Sequence, residues 1–75
     1  MKRPVTEKTL TEIVIDIINM DEHMRHITRV TPRDNYAESV HYVGMNYDLH
    51  INELRRRGQA TIANRYEERA AAWRQ

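Results

Sequence analysis

Six apolar residues recur in alternating steps of three and four along the first third of the chain. They are Leu10, Ile13, Ile17, Met20, Met24 and Ile27. This spacing places all six on one face of an α-helix, and such a face requires another helix to cover it. Val14, Ile15 and Ile18 widen the same face, so we expect this helix to contact two neighbours.

The segment 12–18 is also rich in β-branched residues, which favour strands. Its polar and apolar residues do not alternate, however, whereas the helical spacing holds from Leu10 to Ile27, so we favour a helix. Thr9 and Glu12 have the spacing of a capping box, in which each side chain binds the free backbone N–H of the other residue. We predict the first helix over residues 7–29.

A second helix is predicted over residues 33–57, after a break around Thr31 and Pro32. Thr31 is a candidate N-cap with Pro32 at the first helical position, because proline suits the first turn of a helix. The apolar face of this helix consists of Tyr36, Val40, Val43, Tyr47, Ile51 and Leu54. Since the connection is short, the two helices are expected to form an antiparallel hairpin.

The third segment is predicted to be helical over residues 60–73, with Ile62, Tyr66, Ala70 and Trp73 on one face. Gly58 marks a possible break, because glycine accepts the left-handed conformation that commonly ends a helix. The alternative is a second helix that runs through Gly58, since an interior glycine costs only about 1 kcal/mol relative to alanine. In both arrangements the chain is one all-α domain spanning residues 1–75.

The chain has 75 residues and no cysteine, so its core is small and is not stabilised by disulfides or thiolate metal sites. A second copy is one way to stabilise such a core, and we therefore expect a homodimeric helical bundle. The longest apolar run, residues 13–15, is too short to cross a membrane. We expect a cytoplasmic protein that does not contact the membrane.

A second apolar stripe on the middle helix, Tyr42, Met45 and Leu49, lies off the face that the hairpin would bury. Tyrosine and tryptophan are enriched at the centres of protein interfaces. We therefore take these three residues, together with Tyr66 and Trp73, as candidates for binding a protein partner. The competing interpretation is that a third helix or a second subunit covers them as part of the core.

The charge distribution suggests nucleic acid as an alternative partner. The whole chain carries a net charge of +1, yet its last third is basic. The candidate phosphate-binding residues are Arg55, Arg56, Arg57, Arg65, Arg69 and Arg74. Consecutive arginines point in directions about 100° apart on a helix, and the sequence pI of 8.2 is below that of a dedicated nucleic-acid-binding domain, so this alternative ranks second.

The sequence shows little sign of catalytic or metal chemistry. His23 and His26 lie one helical turn apart, and His41 falls opposite them in the expected hairpin, but this spacing is a weak metal signal. Neither a paired carboxylate site nor a glycine-rich phosphate loop is recognisable. We predict a protein without catalytic residues, bound metal or cofactor.

Together, these patterns predict a small regulatory or interaction module that docks a partner through a helix face. Its expected partners are a second copy of itself and an unidentified protein, with nucleic acid as the alternative. Small helical proteins without cofactors are common among the accessory products of phages and mobile elements, so we expect an origin of that kind.

Overall fold

A computed structural model describes residues 3–74 of the chain. Within this range the chain forms a short 3-10 turn at Val5–Glu7 and three α-helices, which we label α1 (Leu10–Val30), α2 (Arg33–Arg56) and α3 (Ala60–Ala70). The described residues contain no strand, so the all-α prediction is confirmed and the strand alternative for residues 12–18 is wrong.

Helix α1 begins at the predicted capping box. Thr9 Oγ1 accepts a hydrogen bond from the Glu12 backbone N–H at 3.2 Å, and Glu12 Oε1 accepts one from the Thr9 N–H at 2.9 Å. Because this box defines the first turn, α1 starts at Leu10, three residues later than the predicted residue 7. Glu7 belongs to the 3-10 turn instead, and residues 8 and 9 connect that turn to the helix.

The connection between α1 and α2 is shorter than expected. The Thr31 backbone N–H still donates to Ile27 O at 3.0 Å, so Thr31 closes α1 and does not cap α2. Pro32 takes the N-cap position, with φ −58° and ψ 145°, and its carbonyl accepts from the Asn35 N–H. The prediction of Thr31 as the N-cap is therefore wrong.

Helices α2 and α3 are separated by a left-handed glycine. Gly58 has φ +79°, and the following Gln59 N–H donates to Leu54 O at 2.8 Å while the Gly58 N–H donates to Arg55 O at 3.0 Å. These two bonds form a Schellman motif, which satisfies carbonyls that a helix end otherwise leaves free. The chain thus breaks at Gly58, and α3 ends at Ala70 with residues 71–73 in turns.

All three helices contribute to one core. Its fully or almost fully buried apolar members are Ile13, Ile17, Met24, Tyr47, Ile51, Leu54, Ala63, Ala70 and Trp73. Helix α1 contacts both α2 and α3, as the wide apolar face predicted. Ile15, one of the residues on which that prediction rested, is half exposed and lies outside the core.

A buried carboxylate joins α1 to the C-terminal segment. Asp21 is 1% exposed, and its Oδ1 accepts from Trp73 Nε1 at 3.0 Å. Its Oδ2 accepts from Arg25 Nε at 3.1 Å and from Arg69 Nε at 3.2 Å. This arrangement satisfies the indole N–H and the carboxylate together, as buried polar groups require.

Tyr47 occupies the centre of the packing between α2 and α3. Its hydroxyl donates to Tyr66 O at 2.5 Å, and its ring meets the Trp73 ring edge to face with centroids 5.3 Å apart. Burial raises the pKa of Tyr47 above its usual value.

No helix within residues 3–74 is long and apolar enough to cross a membrane.

Candidate interaction surface

The side of α2 that points away from the core carries three exposed apolar side chains. Tyr42 is 61% exposed, Met45 56% and Leu49 58%. At about 100° per residue, all three lie within about 40° of the direction opposite Tyr47. We call this stripe, together with the polar residues that extend it, the outer face of α2.

The outer face continues at both ends with polar residues in the same alternation of three and four. Glu38 precedes the apolar stripe, whereas Asn52 and Arg56 follow it, and all three are exposed. Arg56 also pairs with Glu53 on its own helix, yet its side chain remains 64% exposed. The outer face is therefore apolar at its centre, acidic at its N-terminal end and basic at its C-terminal end.

Two of the predicted partner-binding residues lie elsewhere. Trp73 is only 2% exposed and is held by Asp21 and Tyr47 in the core, so its assignment to a partner surface is corrected. Tyr66 is partly buried against the same core, and its carbonyl accepts a hydrogen bond from the Tyr47 hydroxyl. The structure thus separates these two residues from Tyr42, Met45 and Leu49.

A groove of about 640 Å³ runs beside the outer face. Leu49 belongs to both features, and Met20 and Val5 contribute apolar surface on the other side of the groove. Asn19 and Asn46 add amide groups to its wall. The groove gives the apolar stripe a concave border on the side facing α1.

The groove also contains a polar cluster around the buried His50. The Nδ1 of His50 lies 2.8 Å from Asn46 O, and its Nε2 lies 3.0 Å from Lys8 Nζ. Because a carbonyl only accepts, Nδ1 carries the proton and Nε2 accepts from the lysine ammonium. Lys8 also donates to Asp16 Oδ2 at 2.7 Å, and this hydrogen bond lowers the pKa of Asp16.

Most of the arginines proposed to bind phosphate are paired within the chain. Arg55 pairs with Glu67, and this hydrogen bond lowers the pKa of the glutamate. Arg56 and Arg57 both bind Glu53 and together lower the pKa of its carboxyl to about 2.

The remaining arginines differ in how they are used. Arg69 contacts Asp21, and Arg74 donates to Asp48 Oδ1 at 2.8 Å and to Gly44 O at 2.7 Å. Arg65 is exposed and forms no ion pair with another of the described residues. The basic segment is therefore largely neutralised by carboxylates of the same molecule.

The histidines considered as metal ligands lie on the surface. His23, His26 and His41 are all exposed, and the His41 ring packs edge to face on Tyr42 at 5.2 Å. Across residues 3–74, no group of three or more histidines and carboxylates is arranged to hold a metal ion.

The structure buries three polar residues, Asp21, His50 and Glu53, none of which was predicted to lie in the core. Asp21 lies in phase with Ile17 and Met24 on the apolar face of α1, which was a usable signal for a polar residue inside the core. In comparisons with known proteins, no family model, curated protein or solved structure matches the chain.

Proposed function

We propose that this protein is a small, non-enzymatic interaction or regulatory module that docks a partner through the outer face of α2. The observation that carries the proposal is the exposure of Tyr42, Met45 and Leu49, each more than half accessible on one helix face. Adjacent exposed apolar side chains with a polar border are typical of protein interaction sites. Tyr42 also supplies an aromatic side chain of the kind that dominates binding energy at interfaces.

The proposed scaffold for this face is an antiparallel hairpin of α1 and α2, with α3 packed on it. Lys8, just before α1, lies 3.0 Å from His50 in the last third of α2, and Arg57 donates to the carbonyl of Thr6 at 3.2 Å. These contacts support the hairpin because they bring the start of α1 to the end of α2. A cytoplasmic setting and an accessory role in a phage or mobile element remain part of the proposal.

Nucleic-acid binding is the alternative function. The exposure of Arg65 and of the Arg56 side chain supports it. The carboxylates that pair with Arg55, Arg56, Arg57, Arg69 and Arg74 argue against it, because each lowers the positive field that attracts phosphates.

Cross-linking at defined surface positions in cells of the native host tests the proposed function. A photoreactive amino acid replaces Met45 in one variant and the exposed His23 in a matched control. We expect specific cross-linked protein products at position 45 that disappear when Leu49 is changed to glutamate. Equal products at both positions would contradict docking through the outer face, and nuclease-sensitive complexes lost in Arg65→Glu would favour the alternative.

A further inference from the structure

We propose that the outer face of α2 binds the same face of a second copy of this chain, with the two α2 helices antiparallel. This inference rests on the proposed function and specifies its partner. The evidence is the order of residues along the outer face, which reads Glu38, Tyr42, Met45, Leu49, Asn52 and Arg56. All six are exposed in the structure, and they extend over about 27 Å of helix.

The outer face is complementary to itself when one copy is turned end to end. Its six residues are arranged symmetrically about position 47, so an antiparallel copy pairs positions whose numbers add up to 94. Met45 then meets Leu49 of the partner subunit at the centre. Helices that pack side by side bury a stripe with this alternating spacing, in either orientation.

The polar ends of the outer face select the orientation. In the antiparallel arrangement Glu38 meets Arg56 of the partner subunit at each end of the interface. A parallel arrangement would instead place Glu38 beside Glu38 of the partner subunit and Arg56 beside Arg56 of the partner subunit. Like charges in contact disfavour that arrangement, and opposite charges favour the first.

The layer between the charged ends and the apolar centre is also matched. Tyr42 would meet Asn52 of the partner subunit, where the amide is able to hydrogen-bond the phenol hydroxyl. The interface thus has an apolar centre and a polar border at both ends, as stable protein interfaces do. Because the contact is two-fold symmetric, each complementary pair of residues occurs twice in the interface.

Sedimentation equilibrium of the full chain tests the proposal. The wild type should change from a mass of 9.0 kDa towards twice that value between about 1 µM and about 500 µM. Glu38→Arg places two arginines together at each end and should weaken the dimer by about tenfold. Arg56→Glu should weaken it by a similar factor, because two glutamates then face each other.

The decisive sample is an equimolar mixture of the two single variants. In the mixed dimer the two introduced side chains, an arginine and a glutamate, face each other at one end. The native pair of Glu38 and Arg56 forms at the other end, so dimerisation should return to within about threefold of the wild type.

Glu22→Arg, an equal charge reversal at an exposed position of α1, should leave dimerisation unchanged. Circular dichroism of each variant establishes that it remains helical, which matters most for Arg56→Glu because Arg56 also binds Glu53.

A wild type that stays at 9.0 kDa throughout would overturn the proposal. A dimer that Glu38→Arg does not weaken, or a mixture that recovers no affinity, would overturn the antiparallel pairing. The two proposals fail on different results. A monomeric wild type that still cross-links another protein through position 45 removes the second copy as partner and leaves the docking face in place, whereas equal cross-linking at positions 45 and 23 contradicts the docking face itself.

Discussion

At the scale of single residues, this core contains a buried carboxylate. Asp21 accepts hydrogen bonds from the Trp73 indole and from the side chains of Arg25 and Arg69, although it is 1% exposed. A buried charge is stable only with such partners. The position of Trp73, and with it the packing of the last turn, therefore depends on an acidic residue of α1.

Replacing Asp21 with alanine should lower the free energy of unfolding by about 3 kcal/mol, because the Trp73 N–H and two arginines lose their acceptor. Asp21→Asn should cost less, since the amide oxygen still accepts from the indole. Urea denaturation followed by circular dichroism measures both changes. Glu22→Ala, at the neighbouring exposed position, should stay within about 0.5 kcal/mol of the wild type, and an equal loss there would contradict the role of Asp21.

Glu53 should make stability depend on pH in the acid range. Hydrogen bonds from Arg56 and Arg57 lower the pKa of its carboxyl from the ordinary 4.5 to about 2 in the folded state. The folded state thus favours the ionised form, so the stabilisation is fully present above about pH 4.5 and is lost as the pH falls towards 2.

Thermal unfolding measured from neutral pH down to pH 2 tests this dependence. Glu53→Gln should melt at a lower temperature than the wild type at neutral pH and should lose less stability between pH 4.5 and 2. Glu22→Gln controls for the removal of an exposed carboxylate. If Glu53→Gln and the wild type lose the same stability across this interval, the ion pairs of Glu53 do not produce the dependence.

At the scale of helices, local signals determine where each element begins or ends. The capping box of Thr9 and Glu12 was recognisable in the sequence and starts α1. Gly58 was recognisable as a possible break, but the sequence left open whether α2 continues through it. In the structure its φ of +79° and the Gln59 N–H bond to Leu54 O end the helix there.

Gly58→Ala should destabilise the fold by about 1 kcal/mol, because a side chain in the left-handed conformation is strained. The cause is the backbone and not the packing, since a Cβ at this position would meet no atom within 4 Å. Gly58→Asn should cost less, as asparagine tolerates this conformation better. Denaturant unfolding of the two variants distinguishes strain from a steric clash, which would make asparagine the worse substitution.

At the scale of the whole molecule, the two sides of α2 differ in burial. Ile51 lies in the core at 1% exposed, whereas Met45 on the outer face is 56% exposed. Ile51→Ala should therefore lower the free energy of unfolding by about 3 kcal/mol. Met45→Ala should change it by less than about 0.5 kcal/mol at dilute concentration and should remove any rise of the melting temperature with protein concentration. Chemical and thermal unfolding over a range of concentrations measure both, and a large loss for dilute Met45→Ala would place that residue in the folding core.

The sequence predicted the core faces of the helices better than the distant contacts. Ile13, Ile17, Tyr47 and Ile51 were identified from spacing alone, because burial on one helix face repeats along the sequence. Trp73 was placed on the apolar face of the third helix and was also a candidate for binding a partner. Spacing along one helix does not show that Asp21, 52 positions away, binds its indole. The candidate face of Tyr42, Met45 and Leu49 was identifiable from spacing, but its exposure depends on where α3 packs.

The hydrogen bonds of Asp21 also impose an order on the making of this molecule. Its partners Arg69 and Trp73 follow it by 48 and 52 positions, so a ribosome adds them long after α1 has been synthesised. Until residue 69 has been added, the carboxylate of Asp21 has Arg25 of its own helix as its partner. The core of this protein is therefore complete only after the Arg69 guanidinium and the Trp73 indole have both been synthesised.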